Sequence, residues 1–92
     1  MISYVELNNE ISTYVAKEKD LHELKEKYEK QVTKIHAFMD MFLKKFGSKV
    51  MGDKDSSPEW KLFSTKNEEY NVYNRAIRNV EYFIAKASLA NR

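Results

Sequence analysis

The sequence predicts an all-α fold: an antiparallel helical hairpin with an N-terminal helical extension, assembling as a homo-oligomeric helix bundle. Three observations predict it. Apolar residues recur at alternating steps of four and three along the first half of the chain, a helical period. Both glycines and the single proline fall between Gly47 and Pro58. No run of alternating β-branched residues bounded by paired turn signals argues for a strand.

Ser3-Tyr4-Val5-Glu6 has capping-box spacing, so a first helix begins almost at the amino terminus. From Leu7 the alternating steps run Leu7, Ile11, Tyr14, Glu18, Leu21, Lys25, Tyr28, Val32, Ile35, Met39, Phe42, Phe46, and ten of these twelve are apolar or aromatic. Such a stripe marks a coiled-coil-like helix with one buried face. The two exceptions, Glu18 and Lys25, read as rim residues or a register device, and Asp20 with Glu23 repeats the capping-box spacing. Two readings stand: one helix over 3–46, or a helix to Lys17 that bends near 17–20 into a second. Glu23 with Lys27, and Glu26 with Lys30, are i,i+4 pairs that mark a solvated face.

Gly47 follows Lys44 and Lys45, where a helix favours cations and then a residue free to turn left-handed. A loop over 47–57 is therefore expected, with Val50 and Met51 folding over the tip. Ser56 or Ser57 can cap the next helix and Pro58 suits its first turn, giving a helix over 58–89. The whole chain, 1–92, is one helical domain. Near the loop the apolar band widens to Ile35, Ala37, Phe38, Met39, Met41, Phe42, Leu43 and Phe46. The last helix carries one stripe through Phe63, Tyr70, Tyr73, Ile77, Val80 and Ile84 and a second through Leu62, Val72, Ala76 and Phe83. A lone pair of helices leaves half of each exposed, and patches of that size mark association. Phe38, Phe42, Phe46, Leu62, Val72, Ala76 and Phe83 are the expected contacts between copies.

Six Tyr, five Phe and one Trp in a chain of mean hydropathy −0.69 mean that the apolar material is gathered on particular faces. With no Cys, disulfide frameworks, thiolate metal sites and a Cys nucleophile are excluded. The N-terminus lacks a basic region and a signal-length apolar run, and no segment reads as a membrane span, so a cytoplasmic protein without membrane partners is expected. A formal charge of +2 gives no general attraction to nucleic acid. The first thirty residues lean acidic, while Arg75, Arg78 and Arg92 all lie late.

No constellation supports catalysis, a metal or a cofactor. His22 and His36 stand too far apart on one helix to share a ligand, and His36 with Asp40 lacks a third partner. Asp53-Lys54-Asp55-Ser56-Ser57 opens like a calcium loop, but Pro58 replaces its glycine and Ser64 its final glutamate. Phosphate-loop and dinucleotide fingerprints are absent. Tyr70, Tyr73, Arg75, Arg78 and Tyr82 instead bring rings and guanidinium groups within about three turns, the residue types that stack a base and clamp a phosphate. The plainer reading makes Tyr70 and Tyr73 core and pairs the arginines with acidic residues.

Ser57, Glu59, Leu62, Thr65, Glu68, Glu69 and Tyr73 follow a spacing that resembles the second arm of the helical hairpin in the phage anti-CBASS cyclic-nucleotide sponge family. Pro58 stands where that pattern has Arg, and Asn67 where it has an apolar residue. The resemblance implies a non-enzymatic oligomer that traps cyclic di- or trinucleotides between protomers, using an N-terminal aromatic residue and a lysine. Tyr4 with Lys19, or Tyr14 with Lys17, would serve. The expectation is thus a binding protein that is no enzyme, with Tyr4, Lys19, Tyr73, Arg75 and Arg78 around an anionic nucleotide. The alternative is an interaction module or inhibitor presenting a helix face to a host protein. Direct nucleic-acid binding is the weakest reading, because the basic cluster is small.

Overall fold

The computed structural model describes residues 2–52 and 58–90 as three helices: α1 (Tyr4–Ala16), α2 (Leu21–Gly52) and α3 (Pro58–Ala90). Among the described residues there is no strand, so the chain is all-α. No described helix is long and apolar enough to cross a membrane.

Ser3 caps α1 as its spacing predicts: in an extended conformation, its hydroxyl accepts the Glu6 N–H at 3.2 Å. At the other end the chain breaks, which decides between the two sequence readings. Glu18 N–H donates to Val15 O and Lys19 N–H to Tyr14 O, the paired bonds of a Schellman turn. Glu18 supplies the left-handed residue, with φ 55°. Asp20 then opens α2, its carboxylate accepting the His22 N–H at 2.9 Å.

At the stop expected near Gly47 the helix is interrupted but does not end. The helix bends at Phe46 (φ −126°, ψ 20°), resumes, and runs to Gly52, and no described glycine takes a positive φ. An interior glycine costs a helix only about 1 kcal/mol relative to alanine, and Ser48 to Met51 contain no breaker. The bend leaves the Phe46 ring 5.0 Å from that of Phe42. The capping expected of Ser56 and Ser57, and the covering expected of the Val50 and Met51 side chains, lie outside the described residues.

α2 and α3 run in opposite directions: Lys25 meets Glu81, Tyr28 meets Tyr73, His36 meets Tyr70 and Phe42 meets Phe63. α1 lies over one end of this pair, antiparallel to α2 and parallel to α3, with Tyr4 beside Arg75 and Asn8 beside Asn79. Leu7 and Ile11 from α1, Leu24 and Tyr28 from α2, and Ala76, Ile77 and Val80 from α3 form one buried cluster. Tyr28 anchors it: its hydroxyl donates to Glu10 Oε1 at 2.7 Å and approaches Leu7 O at 3.3 Å. Glu10 also accepts from Lys27 at 2.9 Å, so the expected Glu23–Lys27 pair gives way to a bond between helices, while Lys30 pairs with Glu26 as predicted.

The molecule is 54 Å long, and α1, thirteen residues or about 20 Å, covers less than half of it. At the far end, among the described residues, α2 and α3 meet without α1 through a run of neighbouring rings, Phe38, Phe42, Phe46, Trp60 and Phe63.

Candidate ligand-binding surface

Of the five residues expected around a ligand, the structure brings two together. Tyr4 occupies the first turn of α1 on the flank facing α3, and Arg75 lies on the exposed side of α3. The guanidinium carbon of Arg75 sits 4.3 Å from the centroid of the Tyr4 ring, a cation–π distance. Arg78 lies nearly one turn further along α3, also exposed. Neither arginine forms an ion pair with a carboxylate among the described residues, so the plainer expectation of pairing with a neighbouring acidic helix is not met. Asn79, next on the same flank, donates to Asn8 Oδ1 at 2.7 Å and pins α1 in the register that places Tyr4 over Arg75. Exposed Tyr82 continues this side of α3.

Tyr73 and Lys19 sit elsewhere. Tyr73 faces α2, its ring 5.8 Å from that of Tyr28. It lines a separate cleft of about 390 Å³ with Ile2, Gln31, Lys34, Phe38 and Lys66. Burial pushes its phenol above the usual range, helped by the Glu69 carboxylate. Lys66 there is already engaged, 3.3 Å from Glu69 and over the Phe38 ring. Lys19 follows the Schellman turn and lies over the Tyr14 ring, 5.3 Å from its centroid, at the opposite end of α1 from Tyr4. It lines a 550 Å³ apolar cleft with Tyr14, Val15, Leu21, Phe83 and Lys86. Tyr14 is thus paired with Lys19 and not with Lys17. Arg75 and Arg78 belong to neither cleft. Both lie on open surface.

The seven residues expected between copies divide by burial. Ala76 is fully buried under α1, and Phe42 is 7% exposed among the Phe38, Phe46 and Phe63 rings, so both belong to the interior of one chain. For Ala76 the sequence stripe could not show this, because α1 supplies a third face that a pair of helices lacks; Phe42 is covered instead by the rings around it. Val72 and Phe83 are half-buried against the same core. Phe38 and Phe46 are half-buried at the uncovered end, and Leu62 is 44% exposed there, with Met41 and Leu43 also open.

Among the described residues no group of three His, Asp or Glu side chains is placed to hold a metal ion. His36 is exposed beside Tyr70, and Asp40 pairs with Lys44 at 3.3 Å. No protein-family model matches the chain, and no curated protein or solved structure matches it.

Sequence reasoning missed the Glu10–Tyr28–Lys27 network. Burial opposes ionisation of Glu10, but the hydrogen bonds from Tyr28 and Lys27 outweigh it and hold the carboxyl below its ordinary value of 4.5. Desolvation and the Glu10 carboxylate keep the Tyr28 phenol far above its usual range. Nothing in spacing alone links position 10 to positions 27 and 28.

Proposed function

We propose that this chain is a non-enzymatic helical binding protein that acts as a homo-oligomer and sequesters an anionic ligand of nucleotide type on the Tyr4–Arg75–Arg78 surface. The observation that carries the reading is the stack of the exposed Arg75 guanidinium on the half-buried Tyr4 ring, with the exposed Arg78 nearby on α3 and, among the described residues, no carboxylate paired with either arginine. Arg offers a planar fork to phosphate oxygens, and rings beside it offer a stacking plane that tolerates any base. Because the surface is open, a ligand is enclosed only where two copies bring such surfaces together. Incomplete burial at the uncovered end supports self-association, since Met41, Leu43 and Leu62 expose apolar area beside half-buried rings. The cyclic di- or trinucleotide class comes from the resemblance carried by Ser57, Glu59, Leu62, Thr65, Glu68, Glu69 and Tyr73.

Calorimetry against cyclic dinucleotides and trinucleotides tests it. Binding is expected at micromolar concentration or tighter, weakened at least about tenfold by Arg75→Ala or Arg78→Ala, since a charge-assisted contact contributes about 1.5–3 kcal/mol. Absence of heat with every member of the panel at tens of micromolar protein would end the proposal.

The same uncovered end favours a second reading, a module that docks on another protein. Trp60, Phe63 and Met41 are side-chain types enriched at such interfaces, and exposed Leu62 adjoins them. A stoichiometric partner captured by the native chain and lost with Leu62→Asp, with helicity unchanged, would select it.

A further inference from the structure

The 4,3 apolar register does not stop where α1 stops. Tyr14, Glu18, Leu21, Lys25 and Tyr28 keep the same steps across the turn, so α1 and α2 carry one continuous stripe, as a single helix would. The turn itself, Lys17-Glu18-Lys19-Asp20, contains no glycine and no proline. It is closed by a glutamate at φ 55°, a left-handed conformation that favours glycine and strains other L-residues. Short hinges under strain invite exchange of the element they fold back.

We infer that α1 exchanges between two copies of this chain. Straightening at Glu18 turns α1 and α2 into one long helix, and α1 of each copy lies in the α2–α3 groove of the other. This rests on the self-association proposed above and names its mode. The groove that receives α1 is the one described within a single chain, lined by Leu24, Tyr28, Ala76, Ile77 and Val80. Each internal bond is remade across the pair: Glu10 with Lys27 and Tyr28, Asn8 with Asn79, Tyr4 with Arg75. The register in which Glu10 faces Lys27, carried across the two-fold axis, sets Glu18 opposite Lys19 and Lys17 opposite Asp20. Those are pairs of opposite charge, available only once the hinge is straight. The exchange also makes the Tyr4–Arg75 surface a joint property of two copies, because the ring and the guanidinium then come from different chains.

The chain has no cysteine, so Asn8→Cys with Asn79→Cys places the only two thiols on neighbouring flanks of α1 and α3. The oligomer is isolated by size exclusion, joined with a short bis-maleimide, and weighed under denaturing conditions. Covalent pairs of chains are expected. An oligomer that yields only single chains, each linked to itself, overturns the exchange and leaves self-association standing. A single-copy particle at every concentration overturns both. Hinge variants supply a second readout: Glu18→Ala disfavours the left-handed turn and Glu18→Gly relieves it. The dimer of the alanine variant should dissociate at least about tenfold less readily than that of the glycine variant, because each pair contains two hinges. Equal dissociation constants would refute the mechanism.

Discussion

Tyr28→Phe removes one oxygen from the most buried ring in the protein and tests how α1 is held. The side chain is 1% exposed, and its hydroxyl is the only described group that reaches both the Glu10 carboxylate, at 2.7 Å, and the Leu7 carbonyl, at 3.3 Å. A hydrogen bond to a charged group is worth about 1.5–3 kcal/mol, and a neutral one about 1 kcal/mol. Glu10 is one-third exposed and keeps Lys27, so water and the lysine replace part of what is lost. A loss of about 1–2 kcal/mol near neutral pH follows, which in a chain of this size lowers the melting temperature by roughly 5–15 °C. The pH dependence supplies the sharper test. Because the folded carboxyl titrates below 4.5, its contribution is fully present above that ordinary value and is lost as pH falls through the lower, folded value. The gap between native and variant proteins should therefore be widest near neutrality and shrink as pH falls from 4.5 through the lower, folded value, where the bond becomes a neutral one. Thermal melts followed by circular dichroism at matched concentration, over a series of pH values, measure it. A gap of constant size across that range would refute the assignment of the Tyr28–Glu10 bond as the tie between α1 and α2.

Two further substitutions address the core that α1 completes. Ile11→Ala, at a position with no exposure, should cost about 2–5 kcal/mol and release α1 before α2 and α3 melt, seen as early loss of amide protection in residues 4–16. Ala76→Leu forces extra methylenes under α1 and should cost about 1–3 kcal/mol, read as a lower melting temperature by circular dichroism. An unchanged melting temperature would refute the close packing of Ala76 under α1.

How much of this was legible beforehand varies by element. Ser3 and Asp20 cap as their spacing indicates, because a side chain reaching its own second or third N–H is a local event. The stripe from Leu7 to Phe46 correctly marked Leu7, Ile11, Leu24's neighbours Leu21 and Tyr28, and Phe42 as residues that seek the interior. Gly47 marked the place where α2 breaks, at Phe46, but not its end, since a glycine flanked by helix-compatible residues weakens a helix without ending it. Arg75 and Tyr4 were both visible as candidate ligands, but their meeting was not. It depends on α1 lying parallel to α3, held by Asn8 and Asn79. Tyr73 and Lys19 were equally plausible by type and were claimed by other neighbours, the Tyr28 ring and the Tyr14 ring.

The sequence by itself determined that the chain is all-α, where its first helix begins, and which stripe of residues avoids water, because these follow from period and from bonds within a few residues. Only the tertiary structure decided which face of α3 lies under α1 and which stays in water. That choice turns on one residue, Glu18, whose left-handed backbone folds an otherwise continuous stripe back on itself. No local pattern of side chains announces such a turn when glycine does not make it, so the burial of Ala76 and the exposure of Arg75 and Arg78 were set by packing at a distance.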